Sequence, residues 1–104
     1  VIDFIPKEYA TDITKKYYEI IRELISIIIL LEGYKFKGEG AHKEQIEYFQ
    51  RYLKYEDIAQ IEKLRIIRNK IAYDGFYVKP DYLKQKEESY KRIIHKLNQL
   101  TKNI

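Results

Sequence analysis

Residues 64–75 read LRIIRNKIAYDG, and they hold the side chains of this chain best equipped for chemistry: Arg65, Arg68, Asn69, Lys70 and Tyr73. Each guanidinium carries several N–H donors in a planar fork, and the amide adds a donor and an acceptor. Gathered on one side of a helix, such groups form an array suited to phosphate. Residues four apart share a helix face, so Arg65, Asn69 and Tyr73 make one row with Arg68 beside it. Tyr73 offers a phenol with a reference pKa of about 10, which at neutral pH donates a hydrogen bond or stacks but is a poor general base. A structural role is open to the same residues. Arg65 or Arg68 can pair with Glu62, Asp74 or a carboxylate on another helix, Asn69 can cap or cross-link, and Tyr73 can fill the core.

The two histidines are weaker candidates. His42, in GAHK at residues 40–43, falls in the first turn of an expected helix, where free N–H groups and the helix dipole favour an anion. It can equally be an exposed first-turn residue. His95 lies beside Ile94 inside the last expected helix and reads as structural. No HExxH and no carboxylate–histidine cluster is present, so no metal is expected. The GEG at residues 38–40 is too short for a phosphate loop and follows no strand, and no cofactor is expected.

These side chains must be held by helices. Glycine and proline are scarce, with 4 and 2 in 104 residues, which favours long helices and a single domain. Thr11 or Asp12 can cap a first helix, after a lead-in that can hold a short helical turn from Pro6. Ile13, Tyr17, Ile20, Leu24, Ile27 and Leu31 then follow helical spacing. Ile21, Ile25, Ile28 and Ile29 widen the apolar surface beyond one stripe, so the second half of this helix should be covered on two or more sides, one of them by a second subunit. EGYKFKGEG is a loop, with Gly33 as a C-cap. A second helix should run from Ala41 to about Leu53 with Ile46, Phe49 and Leu53 inward. After a turn at Lys54 to Asp57, Asp57 can cap a third helix with Ile58, Ile61, Leu64, Ile67 and Ile71 inward, ending by Gly75. Pro80 and Asp81 should start the last helix, with Leu83, Tyr90, Ile94, Leu97 and Leu100 inward. The expected fold is all-α: an antiparallel, up-and-down bundle of four or five helices.

Composition narrows the function classes. Without cysteine there are no disulfides, no thiolate catalysis and no cysteine-based zinc site, which fits a cytoplasmic protein. The run SIIILL is too short to span a membrane. It does not resemble a signal peptide, and because the chain opens on Val1, residues 1–10 are not read as a true terminus. Residues 1–61 hold 9 basic and 11 acidic groups, whereas residues 62–104 hold 11 basic and 5 acidic groups. That basic half can attract a phosphate backbone or simply be a solvated face. The eleven tyrosines suit half-buried seams and interfaces better than base stacking, because they are spread along the chain instead of interleaved with the basic residues.

LRIIRNKIAYDG resembles the signature of the HEPN family, the higher eukaryotes and prokaryotes nucleotide-binding domains, and looks most like archaeal members. The family motif is an arginine, four intervening residues and a histidine, commonly with asparagine after the arginine. Arg68 and Asn69 match it; Tyr73 stands where the histidine would be. The resemblance implies a small helical bundle that pairs as a homodimer, its motifs facing each other across the interface. It also implies contact with RNA or nucleotide through Arg65, Arg68, Asn69 and Lys70. The catalytic set it implies is Arg68, Asn69 and Tyr73, with His42 as a further candidate, in a metal-independent ribonuclease of toxin–antitoxin or defence type. A nucleotidyltransferase-like antitoxin would be the partner protein. The departure at Tyr73 replaces a group that titrates near neutrality with one that does not, which points to a weak or degenerate ribonuclease. The alternative is a non-catalytic helical module for protein–protein interaction.

Overall fold

The computed structural model describes residues 7–32 and 47–103, and among these it is an all-α bundle without strands. Three long helices carry it: α1, Lys7–Glu32; α2, Tyr55–Asp74; and α3, Pro80–Lys102. Residues 47–49 are also helical and pass into a turn at 50–52. The expected second helix is described only from residue 47; His42, the Gly33 cap and Ile46 lie outside the described residues.

Contacts between the helices fix their directions. The Val78 N–H, just before α3, donates to Thr11 Oγ1 near the start of α1 at 2.8 Å. Further along both helices Tyr17 Oη donates to Glu87 Oε2 at 2.6 Å. The two helices therefore run the same way. Asp57, in the first turn of α2, meets Arg92 and Lys96 well along α3, so α2 runs opposite to both. The buried core joins Ile21 and Ile28 of α1, Leu64 of α2, and Tyr90, Ile93 and Leu97 of α3. Phe49 and Leu53 add to it from the segment before α2, as their spacing predicts.

Several sequence expectations are corrected. The first helix does not start at Thr11 or Asp12 but by Lys7. Thr11 and Thr14 are buried inside it with Ala10. Thr14 Oγ1 donates back to the Ala10 carbonyl at 2.8 Å, and Thr11 Oγ1 takes the Val78 N–H. Small side chains let the α2–α3 connection approach closely, and their hydroxyls are satisfied inside the fold instead of at a cap. The buried line of α1 thus runs through Ala10, Thr14, Ile21 and Ile28. Ile20, Ile27, Leu30 and Leu31 are left on the surface, Leu30 at 77% exposure. Asp57 is likewise no cap: Lys54 holds that position, and Asp57 sits in the first turn, facing inward. His95 is exposed, not packed.

The ends of α2 and α3 fall where expected. Gly75 closes α2 in the left-handed region at φ 65°, and both its own N–H and that of Phe76 turn back onto the Lys70 carbonyl. Pro80 opens α3, where its fixed φ suits a helix and its missing N–H leaves no bond unmade.

Candidate functional site

Apart from His42, the site residues expected from sequence lie on α2, but the helix spreads them over different faces. The buried face is marked by Asp57, Ile58 and Leu64. Arg68 is one turn beyond Leu64 and three turns beyond Asp57, so it continues the same stripe. It is half-buried. Its Nε atom is buried without a hydrogen-bond partner, and among the described residues Arg68 forms no ion pair. An N–H left unpaired in the interior costs about 1–3 kcal/mol. A half-buried arginine in line with Leu64, its Nε shut away without an acceptor, is therefore a feature that packing alone does not explain.

Arg65 stands to one side of that stripe. It lines a groove between α1 and α2 whose other walls include Tyr18, Ile21, Arg22, Ile25 and Ile61. Its Nη2 reaches Glu62 Oε2 at 3.4 Å, a long contact for a charge-assisted hydrogen bond. The Nε of Arg65 is also buried without a partner. Arg68 is not among the groove residues, so the two arginines do not form one fork.

Asn69 is half-buried beside Arg68. Lys70 points outward, its ammonium 5.9 Å from the centre of the Phe76 ring. Tyr73 is 80% exposed. Tyr73 is five positions beyond Arg68 on the helix, which places them about 140° apart around the axis. The two side chains therefore do not converge on one point of one chain, and the row predicted to join Arg65, Asn69 and Tyr73 leads from the groove out to solvent. The remaining member of the expected set, His42, lies outside the described residues.

Sequence reasoning missed the charged cluster at the opposite end of α2. Asp57 is 1% exposed and accepts from Lys96 Nζ at 2.6 Å and Arg92 Nη2 at 3.2 Å. Burial alone would raise its pKa, but the hydrogen bonds from Lys96 and Arg92 outweigh that and hold the carboxyl below its usual range. The signal available in sequence was the i, i+4 spacing of Arg92 and Lys96 on one face of α3. The cluster is closed on itself: a buried acid with two cations that reach out to water. On α1, burial first and then the hydrogen bond to Glu87 push the Tyr17 phenol far above its ordinary pKa, so it serves as a fixed donor. Tyr17 and Tyr90 meet with ring centres 5.4 Å apart, a packed aromatic pair at the core edge.

Among the described residues no group of three or more metal-ligating side chains comes together. None of the described helices is long and apolar enough to cross a membrane. Comparison of the chain with protein-family models, with curated proteins and with solved structures finds no match.

Proposed function

We propose that this chain is a helical binding module that takes RNA or a nucleotide by its phosphate, with Arg68 as the principal contact and Asn69 beside it. The observation that carries the reading is the half-buried Arg68 in line with Leu64 on α2, whose Nε is buried without a hydrogen-bond partner. A phosphate oxygen would supply the acceptor that Nε lacks, and a guanidinium meets phosphate in a two-pronged, charge-assisted contact. The basic balance of residues 62–104 would draw the ligand in. The resemblance of Arg68 and Asn69 to the HEPN motif supports the same reading and extends it to a cytoplasmic toxin–antitoxin or defence setting, with a nucleotidyltransferase-like protein as partner.

Binding is proposed here without turnover by Tyr73. On one chain Tyr73 is exposed and faces away from Arg68. The test is labelled single-stranded and structured RNA, with EDTA present, mixed with wild type and with Arg68→Ala. RNA retained by wild type, left uncut, and released by a folded Arg68→Ala protein is the expected outcome.

A second reading has its own observation. Ile20, Ile27, Leu30 and Leu31 leave an apolar strip along the second half of α1. Such a strip suits a homodimer or another protein partner. A homodimer is compatible with RNA binding; a chain that pairs but binds neither RNA nor nucleotide would be an interaction module instead.

A further inference from the structure

The groove between α1 and α2 has a different chemistry from the surroundings of Arg68. It is a half-open groove of about 300 Å³. Its interior is formed by apolar side chains, among them Ile25, Phe49, Ile58 and Ile61. Its polar residues are Arg22 and Ser26 on α1 and Glu62 and Arg65 on α2. Water in the apolar part would find few hydrogen-bond partners, so an apolar occupant displaces it favourably.

The charge around the groove favours an anion. Arg22 is exposed and forms no ion pair or hydrogen bond among the described residues. Arg65 is held only at 3.4 Å by Glu62 and keeps a buried Nε without a partner. Among the residues that line the groove, two cations thus stand beside one carboxylate, Arg22 without an ion pair and Arg65 with one long contact. A carboxylate on the ligand has two oxygens and can accept from both arginines.

We propose that this groove binds a free medium-chain aliphatic carboxylate as a monomer. The tail lies along Ile25, Phe49, Ile58 and Ile61, and the head group lies between Arg22 and Arg65. A nucleotide would satisfy the arginines but would bring a polar sugar and base against an apolar wall, where their hydrogen bonds would be lost. A neutral alcohol would fill the wall and leave the cations as they are.

The experiment is a calorimetric titration of decanoate, below its micelle concentration, into the full chain. Decan-1-ol and decyltrimethylammonium are titrated in parallel, and amide NMR spectra report where each ligand sits. Decanoate should bind one to one, at least tenfold tighter than the alcohol, with shifts at Tyr18, Ile25 and Ile61; the ammonium compound should not bind. Arg22→Gln and Arg65→Gln should each weaken decanoate about tenfold, the loss of one charge-assisted contact. Arg22 is exposed, so Arg22→Gln carries the test if Arg65→Gln does not fold. No saturable binding up to about 1 mM would overturn the proposal, as would equal affinity for all three compounds or unchanged affinity in a folded Arg22→Gln protein. Shifts at the groove that follow protein concentration instead of decanoate would assign it to a second copy of the chain, and that too would overturn the proposal.

Discussion

Arg65 and Arg68 stand less than one turn apart on α2, yet only Arg65 lines the α1–α2 groove, and it alone has a carboxylate in reach. Arg68 continues the buried stripe of Asp57 and Leu64 and has none. The separation divides one sequence cluster into two physical settings: an arginine against an apolar groove, and a half-buried arginine whose Nε has no acceptor. Both settings depend on the contacts that hold α2 in place.

The Asp57 clamp should be a main determinant of stability. Asp57→Asn keeps the shape but removes the charge that Arg92 and Lys96 share. Because both cations reach water, the loss should be about 1–3 kcal/mol at pH 7, or several degrees in thermal midpoint. The folded pKa of Asp57 is lowered, so its contribution is fully present above the unfolded value of about 3.9 and is lost as pH falls through the folded value. Thermal unfolding of wild type and Asp57→Asn should therefore differ at pH 7 and converge in acid as the pH falls through the folded pKa of Asp57. A difference that is constant with pH would contradict the clamp.

The contact between Thr11 and Val78 should depend on the hydroxyl and not on side-chain size. Thr11→Val leaves the buried Val78 N–H without its acceptor and should cost about 1–3 kcal/mol. Thr11→Ser keeps the oxygen and should cost less. Denaturant unfolding of the two variants gives the comparison, and equal losses would show that the methyl group, not the hydrogen bond, matters.

Much of the helical framework is legible in the amino-acid sequence alone. Gly75 and Pro80 mark their boundaries because a left-handed cap and a fixed φ are local properties of single residues. Phe49, Leu64, Leu83 and Leu97 are buried as their spacing predicts. Thr11 and Asp57 mislead for a shared reason: both are good caps by local chemistry, but what decides their roles is a distant partner, Val78 in one case and Arg92 with Lys96 in the other. The face of Arg68 could not be read either. Periodicity places it in line with Leu64, but only the packing of the other helices determines that its Nε is buried without an acceptor.

Gly75→Ala should lower stability by about 1–2 kcal/mol, because an alanine at φ 65° meets its own backbone. Nothing lies within 4 Å of the added carbon, so the cost is conformational and not steric against neighbours. Gly75→Asn should cost less than Gly75→Ala, since asparagine tolerates this region better. Calorimetric midpoints of the two variants check the order, and the reverse order would contradict it.

Leu30 tests the apolar strip. Light scattering at micromolar protein should give about twice the mass of one chain, and Leu30→Glu, at an exposed position, should give a folded monomer. A wild-type monomer, or a Leu30→Glu protein that still pairs, would remove α1 as the interface.

Tyr73→Phe should leave RNA affinity within about twofold, as expected of an exposed residue away from the contact. A large loss would place the phenol in the site after all, reached across a dimer.

The most direct test of the account is the salt dependence of RNA binding by wild type and Arg68→Ala, measured with a labelled single strand over a range of salt concentrations. If Arg68 holds a phosphate, the variant should bind about tenfold or more weakly at low salt, and its plot of log affinity against log salt should be shallower by roughly 0.7. Circular dichroism should show the variant still helical. A folded Arg68→Ala protein with the wild-type affinity and slope, or a wild type that binds neither RNA nor nucleotide, would contradict the account.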